Sequence, residues 1–210
     1  MGEFQRGLID WAVAARTLEG QAASGDQHWV SQGPAESRLA VIDGVGHGNE
    51  AARASRLAVA ALDQNARESS LDLFQRCHEC LRTTRGAVMS LAAFSASDNT
   101  VSWLGVGNVE GVILRRQFRG PDGQEALVLR SGVLGVRMPQ LFASVVPVAA
   151  GDTMILTTDG LREGFADHTN RHDSPRQIAD WILDHYGRGT DDALVLVARY
   201  LHEKADATTR

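Results

Sequence analysis
From Ala87 to Thr157 the chain is a succession of short apolar runs cut by turn residues. The runs are Ala87 to Phe94, Thr100 to Val106, Val109 to Arg115, Ala126 to Arg130, Leu141 to Val148 and Thr153 to Thr157, separated by Gly, Asn, Asp or Pro. Runs of this length and spacing suit antiparallel strands joined by turns. Further strands are expected at Ile9 to Leu18, Ser37 to Ile42 and Ala193 to Tyr200. Helical spacing appears in three places. Within Gly48 to Gln64 it is carried by Ala51, Ala54, Ala58, Ala61 and Leu62. A second stripe is Leu73, Phe74, Cys77, Cys80 and Leu81, with Asp72 as a start signal, and a third is Ile178, Trp181, Ile182 and His185 within Pro175 to Tyr186. Strands outnumber helices, and the helices fall in two separate blocks. The expectation is an α+β architecture, two packed antiparallel sheets with helices over their outer faces.

The 210 residues fit a single compact domain, 1–210, with a sizeable core. A formal net charge of -5 disfavours a polyanionic partner, so no nucleic acid is expected. No stretch reaches the ~18 apolar residues that span a bilayer, so no membrane partner is expected. The polar start Met1 to Arg6 lacks the order of a signal peptide, and the expected location is cytoplasmic. Cys77 and Cys80 are too few and too close to staple a fold of this size. In Cys77-His78-Glu79-Cys80 they share a helical face with Phe74 and Leu81, which reads as core packing; a zinc site would need a second pair, and none is present. Trp11, Trp29, Trp103 and Trp181 read as core or boundary residues, and His168 and His172 as solvated loop residues.

The acids are less ordinary. Leu39-Ala40-Val41-Ile42 runs into Asp43-Gly44, and Met154-Ile155-Leu156-Thr157-Thr158 runs into Asp159-Gly160. Asp191-Asp192 instead precedes the run from Ala193, and Asp26 follows Gly25 in a loop before Gln27 to Ser31. Asp-Gly is a common turn dipeptide, which is the plain reading of each site alone. Three strands that all meet acids can converge on one sheet edge if the third runs antiparallel to the others. Carboxylates gathered there either rise in pKa or hold a cation. Oxygen ligands without a matching His or Cys set point to Mg²⁺ or Mn²⁺ rather than zinc. Gly44 lets the backbone approach closely, which makes its carbonyl a further possible ligand.

Taken in order, Ser24-Gly25-Asp26, Val41-Ile42-Asp43-Gly44-Val45-Gly46-His47-Gly48, Arg85-Gly86-Ala87-Val88-Met89-Ser90-Leu91, Gly105-Val106-Gly107-Asn108, Thr158-Asp159-Gly160 and Thr190-Asp191-Asp192-Ala193 resemble the metal-dependent PPM serine/threonine phosphatases. The resemblance runs from about Ser24 to Tyr200 and is greatest to the bacterial sporulation and stress-response branch. It implies a four-layer αββα sandwich with two ions, Mn²⁺ or Mg²⁺, at one end of the sheets. Asp43 would bridge both ions, Asp26 and the Gly44 carbonyl would complete one, and Asp159 and Asp191 would hold the other. Asp192 stands where many relatives have Asn and reads either as a group behind the ligands or as a strand-start cap. The implied reaction is attack on phosphoserine or phosphothreonine by a water activated between the two ions. The implied substrate is a phosphorylated STAS-domain scaffold protein of a bacterial stress-signalling assembly, the stressosome.

Two departures stand out. Many eukaryotic relatives place a histidine directly after the Asp-Gly; here Val45 holds that place and His47 follows two residues later. His47 is the candidate general acid, against the alternative of a solvated turn histidine. Arg16 is the candidate for the relatives' phosphate-binding arginine, against the alternative of a surface residue. No cysteine-phosphatase loop, Gly-x-Ser-x-Gly elbow or Gly-Lys-Ser/Thr loop is present. Only Gly160 to Thr190 separates the third and fourth acids, which leaves little room for a flap, and no appended sensor domain is expected. An open, shallow site suits a folded protein substrate. The rival readings are a catalytically silent phosphoprotein-binding or scaffold-binding module and a hydrolase of small phosphate esters.

Overall fold
The computed structural model describes residues 7–118 and 123–202; the Met1–Arg6 start and the tail beyond residue 202 lie outside them. Along the chain come β1 (Ile9–Arg16), β2 (Asp26–Gln32), β3 (Glu36–Gly44), α1 (Gly48–Gln64), α2 (Ser70–Leu81), β4 (Ala87–Ser95), β5 (Thr100–Val106) and β6 (Glu110–Leu114). They are followed by β7 (Gln124–Ala126), β8 (Ser144–Pro147), β9 (Thr153–Thr157), α3 (Phe165–His168), α4 (Pro175–Tyr186) and β10 (Ala193–Tyr200). The strands form two five-stranded sheets with orders β1-β10-β9-β6-β7 and β2-β3-β4-β5-β8, and every ladder is antiparallel.

Three apolar clusters separate four layers. Leu39, Val41, Phe94, Trp103, Leu156, Leu196 and Tyr200 fill the space between the sheets. Ala40, Ile42, Met89 and Leu91 on the outer face of one sheet meet Ala54, Ala58, Leu62, Phe74 and Cys77 of α1 and α2. Ala14, Ile155 and Val197 on the outer face of the other meet Ile178, Ala179 and Ile182 of α4. Alternate residues of β3 therefore serve two cores, as strand pleating requires when both faces are covered. The expected αββα sandwich is the observed one. Alanine at the α1 contact positions lets that helix lie close on the sheet, and Cys77 is fully buried there as expected. Ser69 caps α2 by accepting the Asp72 N–H, and Ser174 and Gln177 form a reciprocal capping box at α4.

Where the elements depart from the sequence reading, the reasons are local. The α4 stripe rotates: Ala179 and Leu183 are buried, whereas Trp181 and His185 stack on each other at its margin, ring centroids 5.0 Å apart. The run Ala126 to Arg130 does not form one strand because it crosses between sheets. The Leu127 N–H bonds the Gly111 carbonyl of one sheet, and the Arg130 N–H bonds the Gly105 carbonyl of the other. Leu141 to Val148 contributes only β8 at its end. Among the described residues no helix is long and apolar enough to cross a membrane.

Candidate metal centre
The strand β2 begins at Asp26, which is not the loop acid that the sequence suggests but the first residue of a ladder. In the β2–β3 register Asp26 lies opposite Asp43, so two carboxylates face each other at one end of the sheet. Asp159 follows β9 and Asp191 precedes β10 in the second sheet, whose antiparallel pairing brings those two strand ends together. Both Asp-Gly glycines are required by contact rather than by turn geometry. A Cβ on Gly44 would lie 2.1 Å from the Ala51 carbonyl oxygen of α1, and one on Gly160 would lie 1.9 Å from the Asp192 carbonyl oxygen. Each glycine thus lets a neighbouring backbone close on the acid before it.

Few donors answer these acids. The Thr158 hydroxyl donates to Asp26 Oδ2 at 2.7 Å and accepts the Leu194 N–H at 2.9 Å, linking the two sheets. Asn108 Nδ2 donates to Asp159 Oδ2 at 2.7 Å. Asp192 is buried and accepts the Leu18 and Gly25 N–H groups, each at 2.7 Å. It therefore holds both ends of the loop that delivers Asp26, a contact that goes beyond capping its own strand. No arginine, lysine or histidine forms an ion pair with Asp26, Asp43, Asp159, Asp191 or Asp192 among the described residues. Burial, reinforced by Asp26, Asp159, Asp191 and Asp192, pushes the Asp43 carboxyl up to about 8. Burial likewise pushes Asp26 up to about 7; the Thr158 hydrogen bond opposes this rise, and Asp192, Asp159 and Asp191 add to it.

Asp43, Asp159, Asp191 and His47 line one cleft of about 520 Å³ together with Val45, Val88, Asn108 and Ser131 to Val133. Asp26 and Gly44 lie buried behind it. His47 is exposed at the N-cap of α1, where its side chain makes no capping bond. Arg16 does not reach the cleft: it points to the α4 side and pairs with Asp184 at 3.2 Å. The sequence reading did not single out Thr158 or assign a role to Asn108, although both stand inside motifs it used. Among the described residues no three His, Cys, Asp or Glu side chains enclose an ion by themselves. Oxygen donors from one or two carboxylates, a nearby carbonyl and an open cleft fit Mg²⁺ or Mn²⁺, which keep several waters, better than an ion needing a full protein cage.

Phosphoserine phosphatase RsbX of Bacillus subtilis (strain 168) is 23% identical over 193 residues, 91% of this chain and 94% of that protein. A chain in a structure of the bacterial stressosome, described as a modular system adapted to control secondary messenger signaling, is 32% identical, with a TM-score of 0.81 over 91% of this chain and 99% of that one. The crystal structure of RsbX in complex with magnesium superposes with a TM-score of 0.83 at 21% identity, covering 93% of this chain and 96% of that one. The model of the family Stage II sporulation protein E (SpoIIE) matches residues 33–201. With the fold and the ordered motifs, that match places the chain in the SpoIIE family, and it is a protein phosphatase.

Proposed function
We propose that the chain is a Mn²⁺- or Mg²⁺-dependent phosphatase that removes phosphate from phosphoserine or phosphothreonine of a folded STAS-domain scaffold protein in bacterial stress signalling. One observation carries the metal dependence: Asp26 faces Asp43 across β2 and β3, beside Asp159 and Asp191, and among the described residues no cationic side chain forms an ion pair with them. The magnesium complex of RsbX supports a hard divalent ion here. Asp43 would be shared between two ions, with Asp26 and the Gly44 carbonyl completing one and Asp159 and Asp191 holding the other. Bound there, divalent ions supply Lewis acidity to phosphoryl oxygens and bring the pKa of water near neutrality.

The chain's own residues prepare that site. Thr158 fixes the Asp26 carboxylate, Asn108 fixes Asp159, and Asp192 fixes the loop before Asp26. Such supporting hydrogen bonds orient ligands and keep the reacting geometry narrow. His47, on the cleft wall, would give a proton to the departing serine or threonine oxygen. The substrate assignment is supported by the likeness to RsbX and to a stressosome chain. The test is phosphate release from a phosphoserine-carrying STAS-domain protein with Mn²⁺, with Mg²⁺ and after chelation. Release is expected only with metal and should return on its readdition. Turnover that survives chelation removes the metal from the reading. Hydrolysis of p-nitrophenyl phosphate without release from the protein moves the substrate to small phosphate esters.

A further inference from the structure
The chain carries 26 acids, yet none of residues 126–151 is acidic, and the charges in that stretch are those of Arg130 and Arg137. The same stretch holds half of the exposed large hydrophobic residues among the described ones: Val128, Val136, Phe142 and Val145, each more than half exposed. A fifth, Val45, stands on the wall of the metal cleft. Single exposed apolar residues are ordinary; four on one acid-free segment are not.

The segment is built against the cleft. Ser131, Gly132 and Val133 form part of its wall. Ala87 and Leu134 exchange backbone hydrogen bonds, and the Gly135 N–H donates to His78 Nδ1 at 2.9 Å, which ties the segment to β4 and α2. A Cβ on Gly86 would touch both Val133 and Val136, and the Gly86 carbonyl accepts the Val45 N–H, so Val136 continues the cleft wall outward. Beyond the cleft, the Arg130 guanidinium lies 5.9 Å from the centre of the Phe142 ring, and Val145 follows on β8. That strand pairs with β5 alone and is an edge of its sheet. The surface is therefore firm, apolar, locally cationic and continuous with the site of chemistry.

We infer that the exposed face of residues 128–145 is the docking surface for the protein substrate, taking an acidic, apolar-studded face of the folded domain that carries the phosphate. This deepens the substrate reading above and rests on it. The occupant follows from charge: a phosphorylated surface is anionic, and this rim is the acid-free part of an acidic chain, set between the cleft acids Asp43, Asp159 and Asp191 and the pair Glu110 and Glu163, which line a separate hollow with Leu127 and Leu129. Apolar contacts would supply affinity and the two arginines orientation and rate of encounter. Remote contacts of this kind hold the ester in place without touching the reacting atoms.

The experiment compares wild type with the double variant Arg130→Glu/Arg137→Glu and with Phe142→Ser, all loaded with Mn²⁺, on three substrates: the phosphorylated STAS-domain protein, its matching phosphopeptide and p-nitrophenyl phosphate. On the folded protein kcat/KM should fall about tenfold or more, through KM, and its decline with added salt should flatten in the arginine variant. On p-nitrophenyl phosphate both variants should match wild type, which also shows that they are folded. Unchanged rates on the folded protein overturn the proposal, and so do equal losses on all three substrates, which would mean that the segment only shapes the cleft. A wild-type dimer in sedimentation that Phe142→Ser dissociates without altering kcat/KM on the protein also overturns it, by making a second copy the occupant. Wild-type hydrolysis of p-nitrophenyl phosphate with no release from the STAS-domain protein brings down the substrate reading and this occupant together, an outcome distinct from the first.

Discussion
The two ends of the β-sandwich solve opposite electrostatic problems. At one end Asp26, Asp43, Asp159, Asp191 and Asp192 gather, and among the described residues only hydroxyl, amide and backbone N–H donors answer them. At the other, Arg115, Arg171 and Arg199 gather, and the fold answers them thoroughly. Arg115 donates to Asp152 at 3.0 Å and to Glu125; Arg171 donates to the Arg115 and Phe118 carbonyls; Arg199 donates to Thr153 Oγ1 at 3.1 Å and to the Arg171 and Asp173 carbonyls. Buried charge is costly unless paired or hydrogen-bonded. The arginine end meets that demand internally and closes the sandwich. At the acidic end, where Asp26 and Asp192 are buried, Asp43 is half-buried and Asp159 and Asp191 are exposed, no such ion pair forms among the described residues. A fold that neutralises charge with such care at one end and does not at the other fits the metal-binding role proposed for the second.

The largest effect should come from attacking the acidic end directly. Asp43→Ala or Asp159→Ala should lower metal-supported turnover at least roughly a hundredfold, since each removes charge at the position where the reaction needs it. The metal-free variants should unfold no more readily than wild type, because like-charge repulsion is relieved. An Asp43→Ala enzyme retaining most of its rate would break the contrast at its centre.

The opposite end gives the mirror image. Asp152 is buried and accepts from Arg115 Nη1, the Arg116 N–H at 2.9 Å and the Ala149 N–H at 3.1 Å. Asp152→Ala leaves the Arg115 guanidinium half-answered and should cost roughly 3–5 kcal/mol of stability. Below its lowered melting temperature it should keep the wild-type kcat. A large fall in kcat at a temperature where the variant is folded would show that the two ends are coupled.

Asp192→Asn sits between these extremes. It keeps the side-chain shape but exchanges one acceptor oxygen for an NH₂ group facing the Leu18 or the Gly25 N–H, loosening the loop that presents Asp26. Second-layer changes of this kind typically cost about 10–100-fold in metal affinity or activity. A shift in the Mn²⁺ concentration needed for half-maximal rate, with kcat recovered at saturating metal, is the expected signature. No change in either quantity would demote Asp192 to a structural cap.

How much of this could be read beforehand differs between the ends. The strand runs Thr100–Val106 and Thr153–Thr157 and the helix Gly48–Gln64 were legible to the residue, because burial on both faces or strict helical spacing leaves a strong local pattern. Asp43, Asp159 and Asp191 were legible as strand-end acids. Asp26 looked like a loop residue because β2, with Gln27, His28, Ser31 and Gln32, is a half-exposed edge strand whose polar positions hide its period. The part played by Asp192 was legible only as an open choice between two readings: its partners lie 174 and 167 residues away in sequence, and no local pattern encodes such a bond. The arginine end left no trace for the same reason. Arg171 and Arg199 are answered largely by carbonyls, which every residue carries and no sequence distinguishes, and Arg115 by Asp152 and Glu125, 37 and 10 residues away.

The finest test of the contrast is the pH dependence of stability without metal. Both Asp26 and Asp43 have folded-state pKa values raised from 3.8, to about 7 and about 8, chiefly by burial. The native state then binds more protons than the unfolded chain between about pH 4 and pH 8, so these two groups favour folding fully below pH 4 and lose that contribution as the pH rises through 7 to 8. The melting temperature of the metal-free protein should accordingly fall by several degrees from pH 5.5 to pH 8.5. Mn²⁺ should reverse the trend, because the deprotonated acids are the ones that bind it, and its affinity should climb across the same window. Asp43→Asn removes the larger of the two rises and should flatten the metal-free slope while leaving Asp26 to titrate. Asp152→Ala, at the arginine end, should lower the whole curve without changing its shape in that window. A wild-type curve that is flat from pH 5.5 to 8.5, or one that Asp43→Asn leaves as steep as before, would mean that the acidic end is already neutralised within the protein and needs no ion to complete it.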